Sequence, residues 1–250
     1  MINIILNGCN GRMGRVLTAM IETNPLCQVV CGFDIAASAD SGYPVYTNPW
    51  DYDGPADVLI DFSNPKALET LLPYVKERKI PTVFATTGLS EAQLTDLHEA
   101  SSSIPVFFSA NMSIGINLLI ELAQKAAKFL DTGFDVEIIE KHHNQKLDAP
   151  SGTAIAIADA LAEVRDETHF VYDRHAVRKK RDSAEIGIHS IRGGTIVGEH
   201  EVIFAGRDEI ITVGHRADSR EIFANGALKA AIYLTKQPAG LYSMKDLINE

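Results

Sequence analysis

The sequence predicts an α/β protein with an N-terminal Rossmann-type, doubly wound parallel sheet and a second α+β domain built on an open mixed sheet. Two observations predict this fold class. Residues 1–112 alternate short apolar runs with helical patterns, which is typical of parallel strands joined by crossover helices. Residues 184–192, 194–205 and 208–217 instead form three successive strand patterns, which favours a partly antiparallel sheet in a separate domain.

The chain opens with a strand pattern, a glycine turn and a helical pattern. Residues 1–7 are mostly apolar, and Gly8, Gly11 and Gly14 follow them. A strand, a glycine turn and a helix in this order are typical of a dinucleotide-binding motif, because glycine lets the backbone approach a pyrophosphate. The spacing G-x-x-G-x-x-G departs from the usual G-x-G-x-x-G, since Asn10 takes the middle place, and such turns also occur for packing alone.

The second strand pattern, residues 28–34, ends on an acid. Asp34 lies 20 residues after Gly14, where a carboxylate that binds the ribose of a dinucleotide is expected. Such a carboxylate accepts hydrogen bonds from ribose hydroxyls and repels a 2′-phosphate, so NADH is predicted to bind better than NADPH. Arg12 in the glycine turn would partly offset that repulsion. A P-loop is excluded because no Gly-Lys-Ser/Thr follows the turn.

Three further strand patterns continue the first domain. They cover residues 56–62, 81–85 and 106–109, and they alternate with helical patterns that end near Lys79 and Ser101. Because parallel sheets bind ligands at the carboxyl ends of their strands, the polar residues that follow these strands are candidates for the cofactor site. These candidates are Thr86, Thr87, Ser109 and Asn111.

The chain changes character after a long amphipathic helical pattern that ends near Phe129. A strand pattern at residues 134–140 leads into a helix-start signal and then into the three successive strand patterns. The last helical pattern begins near Arg220 and is expected to return to the first domain. We therefore predict a dinucleotide-binding domain of residues 1–112 plus 219–250, and a substrate-binding and oligomerisation domain of residues 113–218.

The most informative segment is residues 140–153, E-K-H-H-N-Q-K-L-D-A-P-S-G-T. It places two imidazoles and an ammonium between a strand pattern and a helix start, for which Ser151 is the predicted N-cap. Free N–H groups at a helix start and the helix dipole favour a carboxylate or phosphate. Histidine titrates closest to neutral pH, which suits a general acid or base. One interpretation is an anion-binding, proton-donating site, and the other is a pair of satisfied loop histidines beside a solvated lysine.

Metal binding is not expected. If the backbone is still extended at His142 and His143, their side chains point to opposite sides of the strand, and one metal ion would be hard to reach with both. Cys9, Cys27 and Cys31 match neither a zinc pattern nor a disulfide framework. Separate roles for the two histidines are therefore expected.

Composition excludes several classes of protein. With 250 residues, 46% of them hydrophobic, the chain has the size and composition of a globular protein of one large or two modest domains. Its formal net charge of −10 argues against binding to nucleic acid or to an anionic membrane. The basic run at residues 178–181 is interpreted as a solvated or anion-guiding loop. Few cysteines and the lack of a long apolar run or a leader pattern predict a cytoplasmic protein.

Together these motifs resemble the 4-hydroxy-tetrahydrodipicolinate reductase family, also called the dihydrodipicolinate reductase family, over almost the whole chain. The most specific motif is Glu140-x-His-His-x-x-Lys-x-Asp-Ala-Pro-Ser-Gly-Thr153. Supporting motifs are Gly8-x-x-Gly-Arg-Met-Gly14, Asp57-Val-x-Ile-Asp-Phe-Ser63, Thr86-Thr-Gly88, Ser109-Ala-Asn111, Arg192-Gly-Gly194, Gly198-Glu-His200 and Phe223-Ala-x-Gly-Ala227.

The resemblance implies an NAD(P)H-dependent oxidoreductase of lysine and diaminopimelate biosynthesis, which reduces a cyclic imine dicarboxylate to tetrahydrodipicolinate with loss of water. It implies that His142 is the proton donor or acceptor and that Lys146 is a second proton donor. His143 and the backbone of Gly152 and Thr153 would hold the substrate carboxylates. The implied cofactor contacts are Gly8, Cys9, Asn10, Gly11, Arg12, Met13, Asp34, Ala85, Thr86, Thr87, Ser109, Ala110, Asn111 and Met112.

The resemblance also implies a homotetramer built through the sheet of the second domain, with a small dicarboxylate as substrate. One departure from the family pattern is Ala85, where many members have glycine, and its methyl group could narrow the cofactor pocket. A short-chain dehydrogenase is excluded because none of the seven tyrosines is followed by lysine four residues later. The alternative is a non-catalytic, dinucleotide-sensing regulator with the same fold, which would not need His142, Lys146 and the helix start together.

Overall fold

The structure, a computed structural model, describes residues 1–36, 41–175 and 178–250. The chain divides into two compact units. Unit 1 comprises residues 1–114 and 221–250, and unit 2 comprises residues 115–220. The predicted domain boundaries lie two residues before these divisions. The roles predicted for the two domains stay predictions.

Helices and strands alternate along most of the chain. In chain order they are β1 (Ile2–Asn7), α1 (Arg12–Glu22), β2 (Cys27–Phe33), β3 (Val45–Tyr46), β4 (Val58–Asp61), α2 (Leu68–Arg78), β5 (Thr82–Phe84), α3 (Glu91–Ser101), β6 (Pro105–Phe108), α4 (Ile114–Leu130), β7 (Asp135–His142), α5 (Gly152–Ala162), β8 (His169–Val171), β9 (Glu185–Arg192), β10 (Gly198–Ala205), β11 (Ile210–Ala217), α6 (Glu221–Leu234), β12 (Gly240–Tyr242) and α7 (Met244–Ile248). Within the described ranges, none of the helices combines the length and the apolar character needed to cross a membrane.

Unit 1 carries a parallel sheet with helices on both faces. Among the described residues its strands lie in the order β12-β6-β5-β4-β1-β2-β3, and each neighbouring pair is parallel. Apolar side chains of α1 and α6 pack on one face, and those of α2 and α3 pack on the other. Ile4 and Ile5 of β1 are both fully buried, as expected for a central strand covered on both faces. The predicted doubly wound sheet is confirmed.

The strand order reverses at β1, whose neighbours are β2 and β4. In doubly wound sheets the crevice at such a reversal, outside the carboxyl ends of the strands, is where ligands bind. β1 ends at Asn7 and β4 ends at Asp61, and these two residues are paired in the register of the sheet. The glycine turn therefore begins at the point where the topology favours a ligand site.

Unit 2 carries a second sheet, which is mixed. In the described residues its order is β11-β10-β7-β9-β8. β10 is antiparallel to β7 and β11, whereas β9 is parallel to β7 and β8. α4 and α5 cover one face and bury side chains such as Ile138, Ile186 and Val202. This confirms the predicted α+β unit with an open, partly antiparallel sheet.

Short elements were missed by the sequence prediction, and one strand begins later than predicted. β3, β8, β12 and α7 have two to five residues each, which is too short to show a period. The strand was predicted to begin at Gly194, but β10 begins at Gly198, so the prediction is wrong over its first residues. The reason is a turn after β9, in which Gly194 adopts a left-handed backbone with φ of +48°. β7 extends to His142, two residues beyond the predicted strand.

Candidate active site

The carboxyl ends of β1 and β4 in unit 1 border a cleft of about 440 Å³. Its walls include Gly8, Asn10 and Gly11 of the glycine turn, Asp34 after β2, and Ser63 after β4. These residues come from three neighbouring strands of the sheet. The structure therefore brings the predicted glycine turn and the predicted ribose-binding carboxylate to one cleft.

Each glycine of the turn has its own physical reason. Gly8 has φ of +79°, and a Cβ there would lie 2.6 Å from the Phe62 carbonyl oxygen. A Cβ on Gly14 would lie 2.5 Å from Cys9 Cα, so this glycine lets α1 pack against the turn. Gly11 is the N-cap of α1 and provides no side-chain cap. The first amides of α1 thus suit an anionic group, and the residues present fit the pyrophosphate of a dinucleotide.

Asp34 is held at the edge of the same cleft. Its Oδ2 accepts a hydrogen bond from the Asn10 backbone N–H at 2.9 Å. Ile35 follows it with 92% of its surface exposed. The carboxylate is therefore fixed beside the glycine turn, where a ribose would meet it.

Asp61 is a buried carboxylate to which the sequence motifs assigned no role. It accepts hydrogen bonds from Asn7 Nδ2, Ser63 Oγ and Thr86 Oγ1. Burial raises the pKa of Asp61, and these hydrogen bonds oppose the rise. Asp61 thereby connects the carboxyl ends of β1, β4 and β5 and orients Thr86. Its position at the end of a strand, within the motif that spans residues 57–63, was the signal that could have found it.

The remaining predicted cofactor residues lie after β1, β5 and β6. Ala85 is buried, and its amide donates to the Asp61 carbonyl oxygen at 2.9 Å. Ser109 Oγ donates to the Asn111 carbonyl oxygen at 2.8 Å. Met112 packs beneath α6, where Gly226 leaves room for the Met112 carbonyl. Of the others, Cys9 is buried, Met13 is half-buried, and Arg12, Thr87 and Ala110 are exposed.

The histidine segment lies in unit 2 and begins on β7 itself. His142 is the last residue of β7, and its Nδ1 lies 2.6 Å from Glu140 Oε2. The two side chains share one face because residues two apart on a strand point the same way. A Cβ on Gly198 would lie 3.1 Å from His142 Nε2, so glycine on β10 leaves space beside this nitrogen. The geometry therefore fixes the imidazole through Nδ1 and leaves Nε2 as the nitrogen that can act on a ligand.

Glu140 is fully buried and is the centre of a hydrogen-bond network. Arg192 of β9 donates to both of its carboxylate oxygens, at 2.7 and 2.6 Å. The Ser151 amide at the start of α5 donates to Oε1 at 3.1 Å. Burial alone would raise the pKa of Glu140, but hydrogen bonds from Arg192, His142 and Ser190 outweigh it and lower the pKa to about 2. Glu140 is therefore ionised and accepts hydrogen bonds only.

Lys146 already binds a carboxylate, that of Asp148. Lys146 Nζ lies 2.8 Å from Asp148 Oδ1. The hydrogen bond from Lys146 is the main cause that holds the pKa of Asp148 below its usual value. Ser151 is the N-cap of α5, as predicted, and its Oγ accepts from the Ala154 amide. His143 follows β7, and its carbonyl oxygen accepts from the Lys146 amide at 3.1 Å.

His200 of β10 lies beside His142, and the sequence motif that contains it predicted no role for it. The two rings meet edge to face with centroids 5.2 Å apart. His200 Nε2 lies 3.1 Å from Ser151 Oγ, whereas its Nδ1 is buried with no hydrogen-bond partner in the described residues. Burial lowers the pKa of His200 to about 4. His200 is therefore neutral at physiological pH, and its side chain packs between β10 and α5.

This buried histidine gives a pH-dependent stability with a defined sign. The unfolded chain protonates His200 near pH 6.5, but the folded chain does so only near pH 4, so stability is lost as the pH falls through that window. The loss is at most about 3 kcal/mol over the whole window. Urea unfolding at about pH 7 and pH 5 should show a smaller loss for His200→Gln than for the wild type. Equal losses in the two proteins would contradict the buried, neutral state.

The last residue of the basic run at residues 178–181 is bound to the second sheet and is not part of a free anion-guiding loop. Residues 178–180 are exposed. Arg181 forms ion pairs of 2.9 Å with Asp135 and with Glu137 of β7. It also donates to the Val136 and Glu185 carbonyl oxygens. Arg181 thus fastens this segment to the second sheet, and the interpretation of a solvated or anion-guiding loop is wrong for this residue.

The cysteines and potential metal ligands form no further site in the parts of the chain that the structure describes. Cys9, Cys27 and Cys31 are free and buried. Burial raises the pKa of Cys9 to about 11 and that of Cys31 to about 12, so neither is a reactive thiolate at neutral pH. Among the described residues, no group of three or more His, Cys, Asp and Glu side chains is placed to hold a metal ion.

Comparison with known proteins relates both units to one family. Residues 2–112 match the family model described as dihydrodipicolinate reductase, N-terminus, and residues 115–248 match that described as dihydrodipicolinate reductase, C-terminus. A 4-hydroxy-tetrahydrodipicolinate reductase of Caldanaerobacter subterraneus subsp. tengcongensis is 53% identical, with 100% of this chain and 99% of the relative covered. The enzyme of that name from Clostridium novyi is 47% identical, with 99% and 98% covered.

A solved structure supports the same relationship. The dipicolinate-bound dihydrodipicolinate reductase from Paenisporosarcina sp. TG-14 superposes with a TM-score of 0.83 at 26% identity, covering 97% of each chain. The predicted family is confirmed from both sequence and fold. The chain belongs to the dihydrodipicolinate reductase family.

Proposed function

We propose that this chain reduces 4-hydroxy-tetrahydrodipicolinate, a cyclic imine dicarboxylate, to tetrahydrodipicolinate with NAD(P)H and with loss of water, in lysine and diaminopimelate biosynthesis. The observation that carries the proposal is the ion pair of 2.8 Å between Lys146 and Asp148. An internal carboxylate thus lies on the ammonium of the loop in which a substrate carboxylate is proposed to bind. The His142 imidazole, on the strand that leads into this loop, supplies the proton that must accompany a hydride transfer.

His142 is the proposed proton donor. A nicotinamide bound in unit 1 would supply a hydride to a ring carbon of the substrate, from which the hydroxyl has left as water. The electron pair displaced within the substrate then takes up a proton, which His142 Nε2 provides. Glu140 holds Nδ1 at 2.6 Å, so the ring keeps one orientation while Nε2 loses and regains its proton.

The substrate carboxylates are proposed to bind in the loop after β7 and at the start of α5. Lys146 offers a mobile point charge, and the Gly152 and Thr153 amides lie in the first turn of α5, where the helix dipole favours an anion. A substrate carboxylate would replace Asp148 on the Lys146 ammonium. His143 is proposed to bind the second carboxylate, and Lys146 is also the proposed second proton donor.

The cofactor is proposed to bind in unit 1. The glycine turn and the first amides of α1 would hold the pyrophosphate, and Asp34 would accept hydrogen bonds from ribose hydroxyls. The segments that follow β5 and β6, which contain Thr86, Thr87 and residues 109–112, would border the nicotinamide. No metal ion takes part in this proposal.

NADH is expected to be the better cofactor, with a kcat/KM roughly tenfold above that of NADPH, because Asp34 repels a 2′-phosphate at the ribose. Initial rates with each cofactor at a fixed substrate concentration measure the ratio. Asp34→Ala should remove most of the difference. Asp51→Ala, in the same unit, is the matched control and should leave the ratio unchanged. A tenfold advantage for NADPH in the wild type would overturn the preference.

The reaction itself is tested by following NADH absorbance with substrate generated from pyruvate and aspartate semialdehyde by a coupled synthase. Oxidation that requires every component, and that dipicolinate inhibits, is the expected result. Coupling is first verified with a known reductase. If that control works and this chain oxidises no NADH but binds it, the proposed function fails and the non-catalytic, dinucleotide-sensing regulator replaces it.

We also propose a homotetramer assembled through the sheet of unit 2. α4 and α5 cover one face of this sheet. The opposite face carries Lys141, which is ion-paired with Glu199 and Glu201, and the edge strand β11 exposes Ile210. Light scattering of the purified protein distinguishes a tetramer from a monomer or dimer. The cytoplasmic location stays a prediction.

A further inference from the structure

Glu140 and Arg192 form a buried ion pair to which the proposed reaction assigns no step. We propose that Glu140 is a positioning residue, which fixes His142 in the Nδ1–H tautomer and turns Nε2 toward the substrate, and that Arg192 keeps Glu140 ionised for this task. The proposal rests on the proposed role of His142 as proton donor. Turnover would then depend on Glu140 of β7 and Arg192 of β9 in addition to His142.

The first step is the direction of the hydrogen bond between His142 and Glu140. An ionised carboxylate can only accept hydrogen bonds, so at 2.6 Å the Nδ1 atom of His142 carries the hydrogen. In the neutral ring Nε2 is then the unprotonated nitrogen, and it is the atom that gains and loses a proton. A Cβ on Gly198 would lie 3.1 Å from Nε2, so the glycine keeps this side of the ring accessible.

The second step is the need for Arg192. A carboxylate that is 0% exposed, placed beside a single imidazole, would be costly to ionise. Arg192 contributes two short, parallel hydrogen bonds, which is the geometry that guanidinium and carboxylate groups match best. Together with hydrogen bonds from His142 and Ser190, these bonds outweigh burial and keep Glu140 anionic. Glu140 can therefore stabilise the positive charge that His142 carries when Nε2 is protonated.

The same pair also fixes the anion-binding loop. Arg192 Nη2 donates to the Asp148 carbonyl oxygen at 2.7 Å, and Glu140 Oε1 accepts from the Ser151 amide at 3.1 Å. Both ends of the segment between Asp148 and the start of α5 are thus tied to one ion pair. Since Lys146 lies two residues before Asp148, Glu140 and Arg192 hold the proton donor and the carboxylate-binding groups in fixed relative positions.

The chain contains a matched control for this ion pair. Glu137 lies on the same strand but on the opposite face, and it binds an arginine and a histidine as Glu140 does. Its Oε1 lies 2.9 Å from Arg181 Nε, and its Oε2 lies 2.8 Å from His189 Nε2. Because the contacts are alike in chemistry, Glu137→Gln reproduces the loss of an Arg–Glu–His link without touching His142.

Steady-state kinetics of Glu140→Gln test the proposal against this control. We expect kcat to fall roughly 10- to 100-fold with a smaller change in the substrate KM, as for loss of a group that orients a catalytic imidazole. Glu137→Gln lies on the sheet face proposed for assembly, so it should keep the wild-type oligomeric state in light scattering and retain kcat within about twofold. NADH titration by fluorescence should give the wild-type affinity for both variants. A kcat for Glu140→Gln within twofold of the wild type would overturn the proposal.

A double-mutant cycle separates positioning from a merely structural role. If Glu140 acts on kcat through His142, then Glu140→Gln should cause almost no further loss of kcat in a His142→Gln background, and its effect through the loop should appear in the substrate KM. If the two substitutions lowered kcat independently, so that their factors multiplied, Glu140 would serve fold stability and the proposal would be wrong. Arg192→Lys keeps the charge but not the parallel pair of hydrogen bonds. It should therefore also lower kcat, by a smaller factor than Glu140→Gln does.

A spectroscopic measurement covers the cases in which Glu140→Gln does not fold or the wild type shows no reductase activity. ¹⁵N chemical shifts of the neutral His142 ring in the wild-type protein report which nitrogen carries the hydrogen. The Nδ1–H tautomer is expected, and the Nε2–H tautomer would overturn the proposal whatever the kinetics show. An Nδ1–H result with an inactive wild type would leave the positioning geometry intact and place the failure on the proposed reaction.

Discussion

Replacing His142 by glutamine is expected to lower kcat by roughly 10²- to 10⁴-fold, which is the usual contribution of a general acid. Glutamine can still donate a hydrogen bond to Glu140, but its amide cannot lose and regain a proton at the position of Nε2. The loss should appear equally in kcat and kcat/KM, because the proton is needed in the transition state and not for binding. Initial rates in the coupled NADH assay measure both parameters.

The matched control for this substitution is His189→Gln. His189 is also a histidine of the second sheet that is hydrogen-bonded to a glutamate, but it lies on the face away from His142. It should keep kcat within about twofold of the wild type. NADH affinity should be unchanged in both variants, since the proposed cofactor residues lie in unit 1. Unchanged turnover of His142→Gln would exclude His142 as the proton donor. It would favour the interpretation that His142 and His143 are a pair of satisfied loop histidines.

The architecture was predictable wherever the sequence carries a long repeating pattern. The strands of unit 1 are apolar runs bounded by turns, because helices cover them on both faces, and β9, β10 and β11 are also long enough to recognise. β3 and β12 form by pairing with β2 and β6, and their own two or three residues carry no pattern. β10 begins late because a backbone turn at Gly194 prevents pairing, which side-chain alternation cannot reveal.

The candidate site was predictable where its residues are neighbours in the chain. His142, Lys146 and the helix cap Ser151 fall within one loop, so their chemistry could be read together. Glu140 was visible two residues before His142, on the same strand face, but nothing local showed what would neutralise it. Its partners depend on register, and their place beside Glu140 becomes visible only in the sheet.

The register supplies those partners directly. Ser190 of β9 pairs with Glu140 of β7, and Arg192 pairs with His142. On the other side, His200 of β10 pairs with Glu140. Arg192 and His200 belong to motifs of the family pattern, yet a motif does not state which residues lie side by side. The same limit applies to Asp61 in unit 1, whose donors Asn7 and Thr86 end or follow other strands.

Lys146 was found by its place in the loop, but its partner Asp148 changes how the site should be understood. Lys146 was predicted to be a proton donor or a solvated lysine, whereas its ammonium forms a 2.8 Å ion pair with Asp148, which is itself more than half exposed. An exposed ion pair of this kind is weak, so a substrate carboxylate can displace it at little cost. This arrangement makes Lys146 the residue whose loss should affect turnover next most strongly.

Lys146→Ala is expected to lower kcat/KM by roughly 10²- to 10³-fold, because it removes both a cation for the substrate carboxylate and a proton donor. Lys146→Arg separates these two contributions. Arginine keeps the charge but does not release a proton, so it should restore the substrate KM and leave kcat low. Steady-state kinetics of the two variants, together with NADH titration by fluorescence, provide the measurement.

The matched control is Lys128→Ala, which removes an exposed lysine of α4 in the same unit and should leave all parameters within about twofold. If NADH affinity fell as much as turnover in Lys146→Ala, the lysine would belong to the cofactor site instead. Full recovery of kcat in Lys146→Arg would show that only the charge matters, and it would leave His142 as the sole proton donor. If Lys146 acts on the substrate both as a cation and as an acid, Lys146→Arg should recover KM but not kcat.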